Sequence, residues 1–198
     1  METSTEVPVA SAIRAAEQVA AELRETYLEV AAGMVLLERV GGGCTHPALR
    51  LARRSGGDAL DLAAEVDQQV TDGVRRLRVA AGHVEPGTIG DLVETLDTVR
   101  GRWSAAAGRI RQLPGRVTAA GQQLRDAAPA EAAPTDPTGV TTPPGRHDTE
   151  TTARQWRCAA EQLDLMAECL AAAVAALGSY TDGLSGAAPR PARKGETG

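Results

Sequence analysis

The sequence predicts an all-α fold: an antiparallel helical bundle of three to four long helices with coiled-coil-like heptad stripes, and a Pro-rich linker before the last helix. Three observations predict it. Four stretches place small or apolar residues in alternating steps of three and four, a 3.5-residue period that keeps one stripe facing a partner helix. Glycine and proline clusters separate those stretches. Opposite charges fall across from one another when the second and third stretches are folded back at Pro86-Gly87.

The first stretch carries Ile13, Ala16, Ala20, Leu23, Tyr27, Val30, Met34 and Leu37 and predicts a helix over about 9–40, with Pro8 tolerated in its first turn. Gly41-Gly42-Gly43 ends it. A connector over 44–57 follows, with at most a short helical turn at 48–53. The second helix covers about 58–83 on the stripe Leu62, Val66, Val70, Val74, Leu77, Ala81 and Val84. After the turn, Thr88 and Asp91 read as an N-cap with its capping partner. The third helix, about 88–126, runs through Ile89, Leu92, Leu96, Val99, Trp103, Ala106, Ile110, Leu113, Val117, Ala120 and Leu124. Pro114 should kink or split it, while the unbroken rhythm keeps both halves on one partner.

The region 1–126 therefore reads as a three-helix unit, and 127–148 as a linker holding Pro129, Pro134, Pro137, Pro143 and Pro144. The last helix, about 149–185, has the stripe Trp156, Ala159, Leu163, Met166, Leu170, Ala173, Leu177, Tyr180 and Leu184. The remainder, 186–198, reads as a disordered tail. The last helix completes the bundle in cis or pairs with a partner helix in trans; its charge does not choose. Trp156, Leu163, Met166, Leu170, Leu177 and Tyr180 are the candidate interaction residues of the second case.

Folding at Pro86-Gly87 pairs residues whose numbers sum to about 171. Arg75, Arg76 and Arg78 then face Glu94 and Asp97; Asp72 faces Arg100, Asp67 faces Arg102, and Asp61 faces Arg109 and Arg111. Each exposed pair is worth only a few tenths of a kcal/mol, so the set selects a register more than it stabilises one.

Composition narrows the function. Phe is absent and there are two Trp and two Tyr, so little aromatic surface remains for stacking a base or a flat cofactor. The net charge of −5 argues against a binder of phosphate backbone, and the abundance of Ala, Gly and Arg reads as the codon usage of a GC-rich genome, as in many actinobacteria. The first residues hold no apolar h-region, and 163–177 is short and carries Asp164, so a cytoplasmic protein with no membrane partner is expected. Cys158 and Cys169 lie roughly 16 Å apart along one helix, beyond disulfide reach, and read as reduced small hydrophobes.

The most chemical-looking segment is Gly41-Gly42-Gly43-Cys44-Thr45-His46-Pro47. A thiol and an imidazole on one loop have the donor types of a zinc site or a nucleophile–base pair, and His147 falls at the same end of an up-down bundle. No CxxC, Glu-x-x-His pair, P-loop or G-x-S-x-G accompanies them. Arg50, Arg53 and Arg54 form a small basic cluster that reads as a solvated surface.

In hairpin length and Ala-rich helices the chain resembles the small helical-hairpin substrates of actinobacterial type VII secretion. Those proteins carry Trp-x-Gly in the inter-helix turn and Tyr-x-x-x-Asp/Glu after the second helix. Here Trp103 is followed by Ser104-Ala105 in mid-helix, and Tyr180 has Leu184 at the fourth place, so the resemblance stops at architecture. The expectation is a non-enzymatic interaction or scaffold protein working through helix–helix contacts, self-associating or with a helical protein partner, and without a cofactor. The alternatives are a secreted or mobile-element-associated effector of the type VII kind, and a small metal- or thiol-dependent enzyme at Cys44 and His46.

Overall fold

In a computed structural model the described residues are 7–40, 47–82, 89–127 and 144–187. They form α1 (Val7–Val40), α2 (Pro47–Gly82), α3 (Ile89–Ile110), α4 (Leu113–Ala127) and α5 (Pro144–Ala187), with no strand among them. Helices α3 and α4 continue one another, so the five segments make four rods.

The rods close into a ring. Helix α1 packs on α2 and α5, and the α3–α4 rod packs on the same two helices from the other side. Neighbours are antiparallel throughout. Along α1 and α2, Arg24 meets Asp67 while the earlier Glu17 meets the later Arg78. Along α1 and α5, Thr26 donates to Gln162 Oε1 at 3.4 Å, and Gly33 lies under Trp156. Along the α3–α4 rod and α5, Arg100 lies beside Gly178 and Gly121 beside Ala153.

Most positions of the predicted stripes are the core, while Tyr27, Ala81 and Ile89 are exposed. Ala16, Ala20, Leu23, Val30 and Leu37 of α1 meet Val66, Val70 and Leu77 of α2, Leu96, Val99, Trp103 and Ile110 of α3, and Leu163, Met166, Leu170 and Leu177 of α5. With no Phe to fill space, the two tryptophans are the largest fully buried side chains, and short Ala positions let the rods approach closely. Most of the stability comes from this burial, at about 25 cal/mol per Å² of apolar surface removed from water.

Pro114 splits the third stretch, as its ring and missing N–H require. The chain turns at Arg111 and Gln112, where Gln112 N–H donates to the Arg109 carbonyl at 2.9 Å, and Pro114 then sits in the first turn of α4. Ile110, Leu113, Val117 and Leu124 stay buried on both sides of the break, so both halves face the same core.

Three expectations change. The connector 44–57 is helical from Pro47 onward, and Ser55-Gly56-Gly57 does not break α2. Gly56 is buried there, and a Cβ would meet the Met34 sulfur of α1, the flexible end of a side chain that can shift. The last helix begins at Pro144, inside the predicted linker, and packs in cis against α1, α3 and α4. The hairpin of α2 and α3 has the predicted orientation but a register about three residues longer. Arg109 pairs with Glu65 instead of Asp61. Asp67 turns to Arg24 of α1 at 3.0 Å, Arg78 to Glu17 of α1, Asp72 to Arg75 of its own helix at 2.6 Å, and Arg100 to Asp97 of its own helix at 3.2 Å. The reason is the ring: α2 has two neighbours, and its charges on the α1 side are drawn there. The residues 128–143 of the expected linker and 188–198 of the expected tail lie outside the described residues.

Candidate functional site

The six candidate interaction residues of α5 do not form an outer surface. Trp156, Leu163, Met166, Leu170 and Leu177 are buried in the bundle core, and Tyr180 is half-buried against it. Their stripe meets α1 and the α3–α4 rod of the same chain.

What the stripe builds instead is one of two tryptophan seats. In the first, Trp103 of α3 sets the Nε1 edge of its indole against Gly73 of α2, where any Cβ would collide with the indole, and its Nε1 donates to the Val70 carbonyl at 3.3 Å. In the second, Trp156 of α5 lies over Gly33 of α1, where a Cβ would stand 2.5 Å from the indole nitrogen and 2.9 Å from the Thr152 methyl. Trp156 Nε1 is buried and has no hydrogen-bond partner. Both seats carry one signature. Val30 and Gly33 repeat the spacing of Val70 and Gly73, and each tryptophan is followed by paired alanines, Ala106-Ala107 and Ala159-Ala160. That repeat was the signal in the sequence, and a reading of the apolar heptad positions alone passes over it because Gly33 and Gly73 carry no side chain to count.

Beside the second seat is a cavity of about 10 Å³, walled by Gly33, Leu36, Leu37, Leu49, Leu124, Thr149 and Thr152. A second, of about 10 Å³, lies between Leu23, Tyr27, Val30, Leu60, Ala63, Leu113 and Leu163. Each has room for about one water and is lined by apolar groups, so neither brings convergent polar groups to a substrate.

Cys44 and His46 lie outside the described residues, and His147 falls in the first turn of α5 with its side chain also outside the description. Among the described residues, no group of three or more His, Cys, Asp and Glu side chains is placed to hold a metal ion. Arg53 of the basic cluster donates to the Leu37 carbonyl at 3.3 Å, a cation at the C-terminal end of α1 where the helix dipole favours it. Its companions Arg50 and Arg54 are an exposed and a solvent-facing side chain on α2.

Cys158 and Cys169 are free thiols, as their spacing requires, and both are exposed, so they do not pack as small hydrophobes. They share the outward side of α5 with Leu165, itself 62% exposed. The stretch 149–185 of α5 is also long and apolar enough to cross a membrane by length and composition, with 33% of its most apolar window buried in the bundle. The expectation rested on 163–177 alone, and it is the longer stretch that meets this criterion; core helices of soluble proteins pass it too.

Other large apolar side chains also face outward. On α1, Leu28 and Val35 are 66% and 55% exposed and share one edge with the exposed Ala21 and Ala32. Leu51 and Val79 on α2 and Ile89 at the start of α3 are scattered. Compared with known proteins, the chain matches no family model, no curated protein and no solved structure.

Proposed function

We propose that this chain is a non-enzymatic helical interaction protein that works through helix–helix contacts, and that its first partner is a second copy of itself. The observation that carries the reading is the outward edge of α1, where Ala21, Leu28, Ala32 and Val35 repeat at heptad-like spacing on a surface that the bundle leaves to solvent. Leu28 and Val35 are seven residues apart, which is the repeat of an a- or d-type position. An apolar edge of this kind suits another helix, and about a two-fold axis the same edge serves both copies. The internal heptad stripes cannot serve, because the core already uses them.

The test is sedimentation velocity of the full chain from micromolar to hundreds of micromolar, beside Leu28→Glu with Val35→Glu. The proposal expects a concentration-dependent dimer in the parent, and a monomer with an unchanged thermal midpoint in the double variant. A parent that stays monomeric over that range contradicts self-association.

A further inference from the structure

We propose that the start of α5, Thr149–Trp156, is a strap that opens locally ahead of the rest of the bundle and uncovers an apolar groove between α1, α2 and α4. Three independent observations meet there. Trp156 Nε1 is buried without an acceptor, so closure of the strap leaves a donor unsatisfied that water would satisfy in the open form. The core positions seven and four residues before Trp156 are Thr149 and Thr152, whereas the matching positions before Trp103 are Leu96 and Val99, all four buried. Thr149 and Thr152 each bring fewer apolar atoms to the core than Leu96 and Val99 do, so less apolar burial holds the strap down. Under the strap lies the cavity bounded by Gly33, Leu36, Leu37, Leu49 and Leu124, so part of what the strap covers has no atom packed against it in the closed form.

The corresponding part of α3 has none of this. Trp103 Nε1 reaches the Val70 carbonyl, and Leu96 and Val99 are fully buried. Both tryptophans sit a similar distance past the starts of their helices, Pro144 and Ile89, so end-fraying alone predicts similar opening of the two. Faster opening at Trp156 than at Trp103 would therefore come from the seat and not from the helix end. Opening uncovers Leu37, Leu49 and Leu124 at one end of the bundle while the Trp103 end stays closed.

Native-state hydrogen exchange of the full chain tests this, read on peptides covering 149–156 and 96–103, with interior peptides of α2 as the internal reference. The strap expects exchange over 149–156 to be at least tenfold faster than over 96–103. It also expects Thr152→Val to slow exchange over 149–156 at least threefold while 96–103 is unchanged. Equal or slower exchange over 149–156 in the parent chain overturns the proposal. So does a Thr152→Val chain in which the two segments change together, because the opening would then be global.

Discussion

The two tryptophan seats share a design and differ in how they are completed. Each sets an indole over a glycine on the adjacent antiparallel helix, and each glycine is needed for that close approach. At the Trp103 seat the indole N–H reaches a carbonyl, and leucine and valine fill the turns before it. At the Trp156 seat the N–H has no partner, threonines occupy those turns, and a cavity lies alongside. A buried donor that finds an acceptor adds about 0.5–1.5 kcal/mol net, while one left unsatisfied costs about 1–3 kcal/mol. The same apolar volume thus holds one end of the bundle more firmly than the other. Area burial alone would rate the two seats as equals, since both indoles are removed from water.

The largest effect should come from filling the glycine positions. Gly73→Ala places a methyl into the Trp103 indole and should lower stability by about 2–3 kcal/mol despite the better helix propensity of alanine, measured as a fall in the urea midpoint. Gly33→Ala should cost less, since the neighbouring cavity gives Trp156 room to shift and no hydrogen bond is lost. Gly101→Ala is the control: nothing stands within 4 Å of the added carbon, so it should stabilise by up to about 1 kcal/mol. An equal loss at Gly33 and Gly73 would erase the distinction between the seats.

Smaller effects sharpen it. Trp103→Phe removes a donor that is used and should cost more than Trp156→Phe, by about 1 kcal/mol in a chemical denaturation series. Thr152→Val should raise stability by about 0.5–1 kcal/mol, the reverse of the usual sign for a core substitution. A double-mutant cycle on Arg109 and Glu65 should return a coupling of a few tenths of a kcal/mol, since Arg109 is 37% and Glu65 54% exposed. A coupling much larger than that would mean that surface charge, and not the seats, sets the α2–α3 register.

Much of this architecture is legible in the sequence because heptad stripes and prolines act locally. Val66, Val70, Leu77, Val99, Leu163 and Leu170 follow the rhythm and are core residues, and Pro114 marks the break between α3 and α4. Legibility ends where a residue's role is set by what lies across from it. Gly56 looks like a loop residue, and only the packing of α2 on α1 places it, buried and facing Met34, inside a helix. Asp67 looks like a partner for Arg102, and only the closing of the ring by α1 brings Arg24 to it. A stripe says that a helix has a partner and not which one, so Trp156, Leu163, Met166, Leu170 and Leu177 read equally well in cis or in trans until α5 was seen to pack on α1, α3 and α4. The tryptophan seats were within reach, since the Val-x-x-Gly spacing at Val30 and Val70 recurs with Trp-x-x-Ala-Ala at Trp103 and Trp156.

The contrast between the seats can be read from two signals. The chain has only two tryptophans, so a nitrogen–proton correlation spectrum holds two indole N–H peaks, and Trp103→Phe assigns them. On transfer to D₂O, the Trp103 peak should persist at least tenfold longer than the Trp156 peak, because the first proton is held by the Val70 carbonyl and the second is exposed whenever the start of α5 opens. Two indole protons that exchange at the same rate, or a Trp156 proton that outlasts that of Trp103, would contradict the account.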